Sequence, residues 1–203
     1  MGLLKILLLT SALWGVEKEH IPYLMQSKAP EAAIELYHTY KEELGRHDFE
    51  VLQRMGTIIL EQGIRSNDLE TQLLSIFGAS IAGLASSIDI MEEGIKSQNF
   101  ETQMAAIQFL ARMEDDRCDE LLTKAMSSPF VMARMEAGFH LALRKHRKAS
   151  GQIEALMYKV PHEFRFYFPQ FFALIGTSEA ISVLGHLIED PFSMVRVEAI
   201  LSA

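Results

Sequence analysis

The sequence predicts an all-α protein, an α-solenoid of stacked antiparallel helix pairs, and three observations carry that reading. The first is an internal repeat: EQGIRSNDLETQ from Glu61 to Gln72 returns 31 positions later as EEGIKSQNFETQ from Glu92 to Gln103, with seven of twelve residues identical. The second is an echo at twice that interval. PFVMARMEA from Pro129 reappears as PFSMVRVEA from Pro191, which puts Arg134, Arg165 and Arg196 on one 31-residue grid. The third is apolar spacing of three and four residues with no strand-like alternation. Two helices in 31 residues enclose too little interior to stand alone, so each copy must cover its apolar faces with the copies on either side.

Taken in order, the chain opens with Leu3 to Leu13, apolar apart from Lys5, Thr10 and Ser11 and followed by the small Gly15. Residues 1–15 read as a short signal peptide, which implies export to the periplasm or envelope of a bacterium. As a buried first helix the same stretch implies a cytoplasmic protein. A membrane span needs about 20 apolar residues. Glu17 to His20 end this run too early and no other segment is long enough to span a bilayer, so no integral membrane segment is expected in the mature chain.

Residues 16–66 form a divergent N-terminal pair or cap, with helices expected at 29–44 and 48–64; Ile34, Leu36, Tyr37, Tyr40 and Leu44 line the first but keep the grid poorly. The repeats proper occupy 67–203, with helix pairs expected at 68–96, 99–127, 130–159 and 162–189. In the first helix of a pair, Met104, Ile107, Leu110 and Met113 make the stripe, and Ala105, Ala106 and Ala111 allow close approach. In the second, the columns headed by Ile90, Met91, Gly94 and Ile95 stay apolar or small in every copy except at Gln152. Ser128 before Pro129 and Asp190 before Pro191 supply helix starts. Pro169 should kink the helix that contains it. The last copy stops at Ala203 before its second helix, which reads as a fragment of a longer array, since such arrays close on a polar capping copy.

The helix opening that carries Asp190, Pro191, Val195, Arg196, Glu198 and Ala199 resembles HEAT-like repeats, in particular the short form of about 31 residues named after the phycobilisome lyases. The resemblance spans about 48–203. It implies a structural arginine that bridges neighbouring copies, a role carried to Arg134, Arg165 and Arg196 only. Gln72 and Gln103 hold that position in the earlier copies and cannot form the same ion pair. Among HEAT-like proteins the deoxyhypusine hydroxylases hold a di-iron centre on several His-Glu pairs, whereas this chain has one, His162 and Glu163. The lyase relatives hold a chromophore in a groove, which gives the alternative of a lyase or chaperone-like carrier for a small hydrophobic ligand.

Composition narrows the function. A net charge of -8 argues against a nucleic-acid partner, because affinity for phosphate backbones needs a surplus of Lys and Arg. The lone Cys118 is surrounded by Glu114, Asp115, Asp116, Asp119 and Glu120, which disfavour a thiolate nucleophile. The seven histidines lack short metal-ligand spacing, and no phosphate loop or nucleophile elbow occurs, so no catalytic residue, metal or cofactor is expected. The expected function is a non-catalytic scaffold or adaptor that binds a protein partner through the concave face of the solenoid.

Two places are candidates for that contact. In the aromatic run FRFYFPQFF, Phe168 and Phe172 align with core positions, but Tyr167 aligns with Glu136 and Glu198, and Phe171 with the mixed pair Phe109 and His140. Tyr167 and Phe171 are the expected aromatic anchors. Lys145 and Arg147 lie in a basic turn, Arg144 to Lys148, that should face Glu114, Asp115 and Asp116 one copy earlier or else dock an acidic partner.

Overall fold

The computed structural model describes residues 18–84, 86–146 and 149–203. Among these the protein is all-α, with twelve α-helices, one 3-10 segment and no strand. No helix among the described residues is long and apolar enough to cross a membrane. The signal-peptide reading of residues 1–15 lies outside the described residues. The chain divides into two compact units, Met1–Ala82 and Gly83–Ala203, and the division falls between the two helices expected to form the 68–96 pair.

The first unit contains α1 (His20–Gln26), α2 (Pro30–Leu44), α3 (Phe49–Ile64) and α4 (Leu69–Ala82). Its core joins Ile21 and Met25 of α1 to Ala33 and Tyr37 of α2 and to Val51, Met55 and Ile58 of α3. Pro30 starts α2, where its missing N–H costs nothing, and Gly45 ends it at φ 71°, a left-handed value that glycine adopts without penalty. Asp48 caps α3 by accepting from the backbone N–H of Glu50 at 3.0 Å and of Val51 at 3.2 Å. Tyr40 donates its hydroxyl to the same carboxylate at 2.9 Å, tying α2 to the start of α3. The glycine of the repeated EQGI motif has a physical reason here: a Cβ on Gly63 would meet the Ser75 hydroxyl of α4 at 2.1 Å.

The second unit contains α5 (Ser87–Gly94), α6 (Phe100–Leu110), α7 (Asp116–Ala125), α8 (Val131–Leu143), α9 (Ala149–Lys159), a 3-10 segment (His162–Tyr167), α10 (Phe168–Ile175), α11 (Ser178–Leu187) and α12 (Ser193–Ser202). Each helix packs on the next in sequence. Beyond that, α6 touches α8, α8 touches α10 and α10 touches α12, while α5 touches α7 and α9 touches α11. The grid appears in the burial: Ala106, Ala137, Phe168 and Ala199, each 31 residues apart, are all fully buried. Gln152, which breaks the apolar column, is exposed, while Ile153, Leu156 and Met157 beside it are buried.

One helix departs from expectation. Pro169 does not kink a helix running through 162–175; it sits in the first turn of α10, and the residues before it wind as a 3-10 segment. A proline at 169 has no N–H for the Arg165 carbonyl and its ring would collide with it, so α geometry cannot pass through 165–169. The α-helix restarts where the proline is harmless.

Candidate functional site

Three of the five grid positions that include the structural arginine share one geometry, and among the described residues it is a hydrogen bond to a carbonyl, not an ion pair. Gln72 Nε2 donates to the Ser66 carbonyl at 2.6 Å, Gln103 Nε2 to the Ser97 carbonyl at 2.7 Å and Arg196 Nη1 to the Asp190 carbonyl at 2.9 Å. In all three the acceptor lies six residues back, in the turn before the helix. The glutamines therefore do the same work as Arg196. Gln103 also bridges copies: buried at 3% exposure, its Oε1 accepts from the hydroxyl of Ser128 in the following turn at 2.6 Å. Arg134 and Arg165 make no such bond among the described residues, and the Nε atom of each is buried without a hydrogen-bond partner there. Arg165 is carried off the pattern by the 3-10 segment, and its guanidinium lies 5.9 Å from the centre of the Tyr158 ring.

The basic turn is used differently from expectation. Arg144 turns inward, with Nη2 donating to the Met113 carbonyl at 2.6 Å, Nη1 to the Leu110 carbonyl at 3.3 Å and Nε 2.9 Å from Asp119 Oδ1. It thus ties α8 to the last residue of α6, whose carbonyl also accepts from the Met113 N–H at 3.2 Å, and to the turn that follows. Asp115 caps α7 by accepting from the Arg117 N–H, and Arg117 pairs with Asp89 of α5. Lys145 is exposed at a left-handed φ of 53° and has no ion pair among the described residues. Arg147 lies outside the described residues.

Cys118 is fully buried at the start of α7. Burial is the chief reason its thiol is held above the ordinary range, with Arg144 opposing it and the neighbouring Asp115 and Asp119 adding to it. His162 lies 3.6 Å from Glu163, with both side chains mostly exposed, and its ring stacks on Phe192. Among the described residues no three His, Cys, Asp or Glu side chains gather so as to hold a metal ion.

The aromatic run builds the most distinctive surface. Tyr167 is 43% exposed, while Phe168 and Phe172 are fully buried. Phe171, expected beside Tyr167 as an exposed anchor, is instead 4% exposed and belongs to the core. Its ring is covered by Phe139 of α8 at 5.7 Å and by Phe168 at 5.3 Å, a neighbour contact that the pattern of its own helix does not reveal.

Between α8 and the 3-10 segment with α10 runs an open groove of about 230 Å³, lined by Met132, Met135, Glu136, Phe139, Phe164, Tyr167, Gln170 and the edge of Phe171. A second groove of about 440 Å³ continues between α10 and α12, lined by Gln170, Ala173, Leu174, Glu198, Leu201 and Ser202. Gln170 borders both. Glu136 is held in place, since its Oε1 accepts from Gln108 of α6 and stands 3.0 Å from His140 Nε2. Glu136, Tyr167 and Glu198 occupy one grid column, so three successive copies present carboxylate, phenol and carboxylate along adjoining grooves. Sequence reasoning singled out Tyr167 from this column but missed the groove, which exists only between copies.

Compared with known proteins, the chain matches no protein-family model and no curated relative.

Proposed function

We propose that the chain is a HEAT-like α-solenoid acting as a non-catalytic adaptor, and that it binds a partner protein on the face formed by α8, α10 and α12. The observation that carries this reading is the groove at Tyr167: a rigid, half-exposed aromatic beside the flexible and 48% exposed Met132, with a fixed carboxylate at its edge. Aromatic anchors in such settings dominate binding energy. The solenoid arrangement is supported by packing in the second unit, where each helix touches the next and most also touch the next but one.

The alternative, a carrier for a small hydrophobic ligand, is less well supported. Small-molecule sites enclose about 300–1,000 Å³ and bury most of the ligand. The apolar groove here is about 230 Å³ and open, which suits a side chain of a polypeptide better.

The test is affinity capture with the intact chain beside two variants, Tyr167→Ser with Met132→Ser, and Lys145→Glu. A polypeptide recovered by the wild type, lost about tenfold or more by the groove variant and retained by Lys145→Glu is the expected result. Recovery unaffected by the groove variant, or a small hydrophobic molecule as the only bound species, overturns the reading.

A further inference from the structure

We infer that the segment received by these grooves is an extended stretch of polypeptide with two cationic side chains flanking an apolar one; this rests on the protein-binding reading above. The two carboxylates provide the charge complementarity. Glu136 lies in the α8–α10 groove and Glu198 in the α10–α12 groove, and the protein as a whole carries a charge of -8. Glu136 has its Oε1 occupied by Gln108 and His140, which pins the carboxylate and leaves Oε2 to a donor from outside. Between the two, Tyr167 offers a ring face to an apolar residue.

Geometry sets the spacing. Neighbouring packed helices lie about 8–10 Å apart, so carboxylates two helices apart are separated by roughly 16–20 Å. An extended chain rises about 3.3 Å per residue and spans that distance in five or six residues. A helix would need eleven to thirteen at about 1.5 Å each, and it is about 10–12 Å across, too broad for a groove of about 230 Å³. The occupant is therefore extended and crosses the helices.

Fluorescein-labelled synthetic peptides with a central Phe and two Lys placed three, six or twelve positions apart provide the probe, read by anisotropy with the full chain at low and moderate salt. The six-position peptide is expected to bind about tenfold tighter than the other two and to weaken with salt. Glu136→Gln and Glu198→Gln should each reduce its binding about three- to tenfold at an unchanged melting temperature. Their combination should abolish the spacing preference. Binding that ignores the spacing, or that survives in Glu136→Gln/Glu198→Gln, overturns the inference. If an uncharged peptide with the same Phe binds equally well and is lost in Tyr167→Ser, the charged pattern fails while protein binding at the groove stands. If no peptide binds, the inference fails, and the adaptor reading is decided by the capture experiment.

Discussion

Arg144 shows how much one side chain does when its surroundings are fixed. Its guanidinium serves two backbone carbonyls of the α6 end and the Asp119 carboxylate, and only 22% of the side chain is exposed. Replacing it with Met keeps the stem but removes the donor to the Met113 carbonyl and the ion pair of Asp119, while the Leu110 carbonyl keeps the Met113 N–H, so a loss of about 2–3 kcal/mol in denaturant unfolding is expected. Arg144→Lys should recover less than half, because one ammonium cannot reach three acceptors in different directions. Equal stability of both variants and the wild type would refute the assignment. Asp48 makes a pH-dependent contribution. The Tyr40 hydroxyl, then the Val51 N–H, Lys18 and the Glu50 N–H, hold its carboxyl below the ordinary range against the opposing effect of burial. A depressed carboxyl contributes stability that is present above its unfolded pKa of about 3.9 and is lost as pH falls through the folded value. Asp48→Asn should therefore melt lower than the wild type at pH 7, with the gap closing below about pH 4. A gap that stayed constant to pH 2 would show that the charge plays no part. Neither role was legible in the sequence: Arg144 read as one of several exposed cations, because the carbonyls it meets belong to the preceding copy.

At the scale of the helix, the apolar stripes and the 31-residue interval located most elements, since a buried face is set by spacing that any copy displays. Two elements escaped. The seven-residue α1 is shorter than its periodicity can reveal and carries Pro22, yet Ile21 and Met25 are among the best-buried residues of the first unit. The 3-10 segment before α10 escaped because Pro169 was read against a helix assumed to begin at 162. The identical glutamines were visible, but reading them against the arginine of later copies obscured their shared bond to the carbonyl six residues back. That bond supports a prediction. Gln103→Ala leaves the Ser97 carbonyl and the Ser128 hydroxyl without this partner in a buried turn, at a cost of about 2–3 kcal/mol. Gln103→Arg restores the donor but not the acceptor and should fall between the two. Thermal or urea unfolding decides it, and an unchanged midpoint for Gln103→Ala would remove the bridge between copies from the account.

Across the second unit, stability should vary along the chain, because most contacts run between helices one or two positions apart. The helix α8 is packed by α6, α7, α9 and α10, and its Ala133, Ala137, Leu141 and Ala142 are fully buried. The helix α12 buries only Val195 and Ala199, while Met194, Val197, Ile200 and Leu201 are each more than half exposed. Local opening follows buried contact, so amide exchange should be fastest in α12 and slowest in α8. Leu141→Ala removes a fully buried side chain and should cost about 2–5 kcal/mol, with faster exchange spreading to α6 and α10. Leu201→Ala, at 75% exposure, should leave protection elsewhere unchanged. Uniform protection from α5 to α12 would mean a single cooperative core, in which the grid of buried residues records ancestry without dividing the folding energy. A graded profile would also bear on binding: a segment lying across α8, α10 and α12 should raise protection in α12 the most, because that helix has the largest share of its stability still to gain.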